Sequence, residues 1–266
     1  MDRISRKFEL LRGAGRKALI PFFTAGDPSL DATVPVMHAL VEAGADIIEL
    51  GVPFSDPMAD GPVIQRSSEQ ALRRGAGLRY VLQAVSEFRK LDEHTPVVLM
   101  GYLNPIEIHG NVRFAGEAAV AGVDGVLLVD LPHEESAETR DVFSAHGLQL
   151  IALASPTTTA ERLRAVCESA KGYLYYVSFA GVTGAGHLDP AAAGLRLHAL
   201  RAQSRVPVVA GFGIKDAASA AAMAQEADGV VVGSALVESL AGASGPADAA
   251  SRAVAFLAPL RLALDG

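Results

Sequence analysis

Glu49 closes the apolar run Ala45-Asp46-Ile47-Ile48-Glu49-Leu50-Gly51, and a Pro- and Asp-rich stretch follows, Val52-Pro53-Phe54-Ser55-Asp56-Pro57-Met58-Ala59-Asp60-Gly61. The run has the short apolar character of a strand buried on both faces, which sets Glu49 at or near its carboxyl end. A carboxyl group there loses hydration, its pKa rises, and it becomes suited to exchange a proton near neutral pH. Pairing with a loop Arg, or capping of the next helix, is the plainer reading of the same residue. Asp60 is open in a similar way. It caps the turn before a helix beginning at Pro62, or it turns back over the site as a second carboxylate, and spacing alone does not separate the two.

The elements that must position these acids recur along the chain. Strand-like runs cover 18–23, 46–50, 97–102, 125–129, 150–154, 173–178, 207–210 and 229–232. Helical patterns cover 31–42, 62–73, 112–121, 136–146, 159–170, 190–203, 216–225 and 247–264. Eight alternations predict a single α/β domain over residues 1–266, a (β/α)8 TIM barrel. An extra amphipathic helix near residues 2–12 is positioned to plug the barrel's bottom. The alternative, an open doubly wound sheet, would ordinarily carry a Gly-rich dinucleotide turn after an early strand, and no G-x-G-x-x-G follows the first one. Two helix ends repeat one unit, Glu42-Ala43-Gly44-Ala45-Asp46 and Val120-Ala121-Gly122-Val123-Asp124, with Gly44 and Gly122 as left-handed stops.

In such a barrel the active site gathers at the carboxyl ends of the strands. Those ends deliver Phe22, Glu49, Met100, Tyr102, Leu127, Val129, Leu153 and Tyr175. After them come the turns Gly181-Val182-Thr183-Gly184-Ala185-Gly186, Gly211-Phe212-Gly213-Ile214 and Gly233-Ser234-Ala235. The last two, placed after strands seven and eight, describe a phosphate cradle. Glycines let backbone N–H groups approach an oxyanion, and a short helix over 234–240 points its amino end at it.

Composition excludes several classes. Half of the 266 residues are hydrophobic and the formal charge is -7, so a nucleic-acid-binding role resting on a basic surface is excluded. No stretch is long and apolar enough for a signal peptide or a bilayer span. Cys167 is the single cysteine, which rules out an intramolecular disulfide, and with no export signal the cytoplasm is expected. None of the seven His residues sits at metal-ligand spacing, so no metal is expected. Ser155-Pro156-Thr157-Thr158-Thr159 looks like a hydroxyl cluster but reads as a turn plus helix cap. No G-x-S-x-G elbow supports acyl transfer. Lys7, Lys17, Lys90, Lys171 and Lys215 are not placed as the Schiff-base Lys of an aldolase.

Taken in order, these motifs closely resemble the alpha subunit family of tryptophan synthase along nearly the whole chain. The most specific element is Glu49 with Leu50 to Pro62. Supporting matches are Pro21 to Pro28, Tyr102-Leu103-Asn104-Pro105-Ile106, Asp130-Leu131-Pro132 and the three Gly-rich turns. Phe179-Ala180 and His187-Leu188-Asp189 depart from the family pattern. The resemblance implies a lyase that splits indole-3-glycerol phosphate into indole and glyceraldehyde 3-phosphate by retro-aldol cleavage in L-tryptophan biosynthesis. It implies Glu49 and Asp60 as the catalytic pair, an indole pocket of Phe22, Met100, Leu127, Leu153, Tyr175 and Phe212, and Tyr102 as a further substrate-binding residue. Thr183 would position Asp60 on loop closure, Gly184 would contact the substrate, and Gly213, Gly233 and Ser234 would hold the phosphate. A beta subunit carrying pyridoxal phosphate is the implied partner in an alpha2beta2 assembly, with no cofactor in the present chain. The loop over 53–60 and the segments 104–111 and 181–186 are the implied partner-facing surfaces. A rival within the same fold is a silent barrel that only binds and activates that partner.

Overall fold

A computed structural model describes residues 1–177, 190–211 and 213–266. Helix α1 (Arg3–Gly13) precedes strand β1 (Ala18–Thr24), followed by α2 (Thr33–Glu42) and β2 (Ile48–Gly51). Next come α3 (Pro62–Arg73), α4 (Leu78–Phe88), β3 (Val97–Gly101), α5 (Leu103–His109) and α6 (Asn111–Ala121). The middle of the chain holds β4 (Gly125–Leu128), α7 (Ala137–Ala145), β5 (Gln149–Leu150), β6 (Ala152–Ala154), α8 (Ala160–Ser169) and β7 (Leu174–Val177). It ends with α9 (Pro190–Gln203), β8 (Val208–Gly211), α10 (Ala217–Ala224), β9 (Gly229–Val232), α11 (Ser234–Leu240) and α12 (Pro246–Asp265).

All strand pairings are parallel, in the order β5-β4-β3-β2-β1-β9-β8-β7-β6. The two ends of that order, β5 and β6, are separated in the chain by Ile151 alone, so the sheet closes into the barrel that the strand–helix alternation predicts. The fifth barrel strand, expected to run unbroken over 150–154, is therefore two pieces. Gln149 and Leu150 pair with β4, and Ala152–Ala154 pair with β7. The N–H of Ile151 still donates to Val126 O at 2.9 Å, and beyond it the chain leaves β4.

Two helices were not anticipated. α4 buries Val81, Leu82, Val85 and Phe88 on one face, and it packs between α2 and α6. It thus fills the outer layer that α3 was expected to fill. α3 instead packs against α11 and β1, at the mouth of the barrel beside the loop that carries Asp60. α5 begins where β3 was expected to continue. Tyr102 is its N-cap residue, and the Leu103 N–H is satisfied by Asp130 Oδ1 at 2.8 Å. α1 does plug the bottom: Ile4, Phe8 and Leu11 are buried, and the Phe8 ring meets Tyr173 at 5.9 Å.

The repeated Ala-Gly-x-Asp unit is a stitch between neighbouring strands. Asp46 Oδ2 accepts the Leu19 N–H of β1 at 2.9 Å and the Arg261 Nη1 of α12 at 2.9 Å. Asp124 does the same for Val97 of β3 and for Arg89, at 2.9 and 2.7 Å, and adds Arg3 of α1 at 2.9 Å. Gly44 and Gly122 have φ of 100° and 90°, and a Cβ on either would collide with the Arg that serves the neighbouring Asp. Each glycine thus ends its helix and leaves room for the guanidinium stem. Asp228 repeats the pattern without the glycine, accepting the Val208 N–H at 2.9 Å and pairing with Arg201 at 2.8 Å. Burial pushes the Asp46 carboxyl up, while the Leu19 N–H and Arg261 pull it back down.

Removing one partner from such a pair strands the other charge in the interior. Asp46→Ala is expected to lower the unfolding free energy by about 3–5 kcal/mol. Urea denaturation checks this, the midpoint falling with an unchanged m-value.

Candidate active site

Parallel strands alternate their side chains between barrel interior and helix layer. In β1 and β2 the register sets Phe22 beside Glu49, and in β3 and β4 it sets Met100 beside Leu127. In β6 and β7 it sets Leu153 beside Tyr175. All six residues line one cavity of about 470 Å³ at the carboxyl ends of the strands. Val129 and Val177, two positions further along their chains, form its upper wall. Gly211 is required here because a Cβ would fall within the Tyr175 phenol.

Glu49 is completely buried, and neither carboxyl oxygen has a hydrogen-bond partner among the described residues. Desolvation, with the nearby Asp60 carboxylate as the smaller cause, pushes its pKa up to about 8. The alternatives for this residue, an Arg partner or a capping role, are not what the geometry shows. Asp60 lines the same cavity, so the two acids do converge. Burial raises its pKa to about 6, against the pull of the Tyr102 hydroxyl, which donates to Asp60 Oδ2 at 3.0 Å. That hydroxyl also accepts the Ala59 N–H at 3.0 Å, tying the loop after β2 to the end of β3. The Tyr175 and Tyr173 phenols are raised well above their usual range, by burial first and then by the Glu49 charge.

Tyr102, expected as a substrate-binding residue, lies behind Asp60 and outside the wall of the large cavity. Its ring packs on Phe54 with centroids 5.1 Å apart. Gly213, Gly233 and Ser234 line the large cavity as expected. Thr183, Gly184, Phe212 and the departures at 179–180 and 187–189 lie outside the described residues. Sequence reasoning missed Ile64, Lys215, Val231 and Glu238, which also line it. Ile64 had a signal, since it sits in the first turn of the helix that leaves Asp60, and Glu238 lies one turn beyond Ser234. Val231 had none, being one of three successive valines. At the far end of the cavity Ser234 and Ala235 open α11, whose N-cap Gly233 makes no side-chain cap. The first-turn N–H groups there have no intrahelical acceptor.

A neutral acid and an ionised acid facing one apolar slot can protonate a substrate at one point and stabilise positive charge at another. Among the described residues no group of three His, Cys, Asp or Glu side chains is placed to hold a metal, and no helix is long and apolar enough to cross a membrane.

Known proteins carry the same architecture. The sequence profile of the family described as tryptophan synthase alpha chain matches residues 8–262. The tryptophan synthase alpha chain of Xanthomonas euvesicatoria pv. vesicatoria is 72% identical over 266 residues, covering 100% of this chain and 99% of its own length. Tryptophan synthase subunit alpha from Legionella pneumophila str. Paris superposes with a TM-score of 0.93 at 47% identity, covering 100% of this chain and 99% of that one. A chain of tryptophan synthase from M. tuberculosis in an aminoacrylate-bound form gives 0.87 at 37% identity, covering 99% of this chain and 100% of that one. A profile matched nearly end to end, and relatives this close over their full length, establish that the chain belongs to the tryptophan synthase alpha chain family.

Proposed function

We propose that this chain, as one catalytic domain over residues 1–266, cleaves indole-3-glycerol phosphate to indole and glyceraldehyde 3-phosphate, a carbon–carbon lyase step. The observation that carries the reading is the split between two carboxyl groups in one cavity, Glu49 at about 8 and Asp60 at about 6. At pH 7 the first is mostly protonated and the second mostly ionised. Indole is a poor carbanion leaving group, so its C3 must gain a proton before the bond to the side chain breaks. Glu49 gives that proton. Positive charge then spreads toward N1, where the Asp60 carboxylate accepts the N1–H and stabilises the cation. As the carbon–carbon bond breaks, the side-chain hydroxyl loses its proton to the Glu49 carboxylate, which restores the starting acid.

The ring lies among Phe22, Met100, Leu127, Leu153 and Tyr175, with Phe212 from the turn after β8. The phosphate meets the backbone N–H groups at Gly213, Gly233 and Ser234. By the family resemblance Thr183 is a hydrogen-bond partner of Asp60 and Gly184 contacts the substrate. Tyr102 is a positioning residue: its hydrogen bond holds Asp60 toward the slot and favours its ionised form. This step needs no cofactor from the chain itself. The partner is a beta chain carrying pyridoxal phosphate, in a cytoplasmic alpha2beta2 assembly that joins indole to serine. Met58 on the loop after β2 and Ile108 on α5, 81% and 79% exposed, support partner-facing surfaces at those segments.

Indole release from indole-3-glycerol phosphate, assayed with and without purified beta subunit, tests substrate and partner together. A rate increase of at least tenfold on adding the subunit is expected, and no indole in either assay rejects the reading. Glu49→Gln is expected to abolish turnover, a loss of 10²-fold or more, with substrate affinity nearly kept. It also carries a stability signature. The native state holds the Glu49 proton from about pH 4.5, where an unfolded Glu releases it, up to about 8. Stability from this group is therefore full below about 4.5 and declines until about 8, by on the order of 5 kcal/mol. Glu49→Gln should accordingly exceed the parent in urea resistance at pH 8 and approach it at pH 5. The parent's kcat/KM should form a bell with limbs near 6 and 8, and Tyr102→Phe should move the acid limb to higher pH while leaving the basic limb in place.

A further inference from the structure

The break in the fifth barrel strand has a second consequence. Pairing between β4 and β5 ends at Val126 and Leu150, and β6 pairs only with β7. Above Ile151, among the described residues, no ladder hydrogen bond joins Leu128 to Ala152–Ala154. A cavity of about 340 Å³ opens in that seam, beneath α7 and α8. It is separate from the active-site cavity but shares Val129, Leu153 and Val177 with it.

The lining of this side cavity is chemically distinct from a solvent crevice. Arg140 on α7 is half-buried, and its one described hydrogen bond is a long one, from Nη1 to Ser136 Oγ at 3.4 Å. No carboxylate lies within ion-pair distance of it among the described residues, so most of its five donors remain to be met. Arg162 adds a second guanidinium, held by Glu134 at 2.9 Å. The lining's one carboxylate, Asp130, is already engaged through Oδ1 by the Leu103 N–H. The hydroxyl-rich turn at 155–159 divides its work. Thr159 caps α8 by accepting the Arg162 N–H, whereas Ser155 and Thr158 face the cavity. Leu128 and Val166 supply an apolar wall. Burial, Arg140 and Arg162 together hold the His133 imidazole below its usual pKa, which is how an electropositive cleft acts on a neighbouring base.

We propose that this cavity is a second binding site, for a small organic oxyanion whose phosphate or carboxylate head meets Arg140, Ser155 and Thr158 and whose apolar body lies on Leu128 and Val166. A half-buried guanidinium beside hydroxyl donors suits a planar or tetrahedral oxyanion, and an apolar wall suits what the head is attached to.

Amide NMR of the full chain, titrated separately with phenyl phosphate, benzoate, inorganic phosphate and uncharged benzyl alcohol, tests the site without reference to turnover. Phenyl phosphate or benzoate should perturb the amides of Ser155, Thr158 and Ser169, and the tighter of the two identifies the head group. Inorganic phosphate should bind about tenfold more weakly than phenyl phosphate, having no apolar body. Arg140→Gln should weaken the response at least about tenfold, with indole release and melting temperature kept. Should that variant fold poorly, Arg140→Lys should keep the charge and bind within a few-fold of the parent. Shifts confined to Gly213, Gly233 and Ser234, equal affinity in Arg140→Gln, or equally tight benzyl alcohol would overturn the proposal.

Discussion

A carboxyl group completely shut off from water, with no hydrogen-bond partner among the described residues, is the constraint on which this molecule turns. Ionising Glu49 in that place means putting a charge where no dipole is aimed at it. The cost arises from the barrel itself. Eight strand positions close a ring around it, and the ring is filled by Phe22, Met100, Leu127, Leu153 and Tyr175, none of which donates to the carboxylate. The stitches at Asp46, Asp124 and Asp228 hold that ring from below, at the opposite ends of the strands. The three carboxylates at the bottom are each paired with Arg, whereas the Glu49 carboxyl at the top has no partner among the described residues. The carboxyl groups of the two layers thus differ in whether Arg and a strand N–H are within reach.

Asp60 completes the arrangement through contrast. It is also desolvated, yet the Tyr102 hydroxyl favours its ionised form and keeps its pKa nearer the ordinary range. Once Asp60 is ionised, its charge disfavours a second one nearby, and Glu49 retains its proton. One pair therefore carries an acid and an anion at the same pH. Tyr102 sits behind Asp60, so what it sets is the orientation and ionisation state of that carboxyl group.

Much of this was legible in the sequence because the signals are local. Strands buried on two faces read as unbroken apolar runs, and the helix spans at 62–73, 190–203 and 234–240 match the structure at both ends. The Ala-Gly-x-Asp repeat announced a repeated unit, though not its Arg partners, which come from α12 and α4, distant in the chain. What escaped depends on tertiary contacts. The break at Ile151 arises because one strand serves two neighbours whose ladders diverge. Tyr102 was expected to end β3 and bind substrate, but it is the N-cap residue of α5 and lies outside the large cavity. Asp60 could be placed over the site only once α3 was seen to lie across the barrel mouth.

The displacement of α3 is what gives the second α/β unit its special character. Two helices follow β2, as two follow β3 and β9; here α4 packs in the outer layer, and α3 is free to pack on α11 and β1. The loop from Val52 to Gly61 is thereby stretched between a fixed strand end and a helix lodged at the barrel mouth. Its Asp60 is held at both sides, by Tyr102 from β3's end and by the start of α3 through the Gln65 side chain on the Asp60 carbonyl at 2.8 Å. A loop anchored this way brings the second carboxyl group to the first from the same unit of the barrel, so that only the short span from Glu49 to Asp60 must be kept in register for both to face one cavity. The exposed apolar side chain of Met58 lies within that span, which couples anything docking there to the geometry of the acid pair.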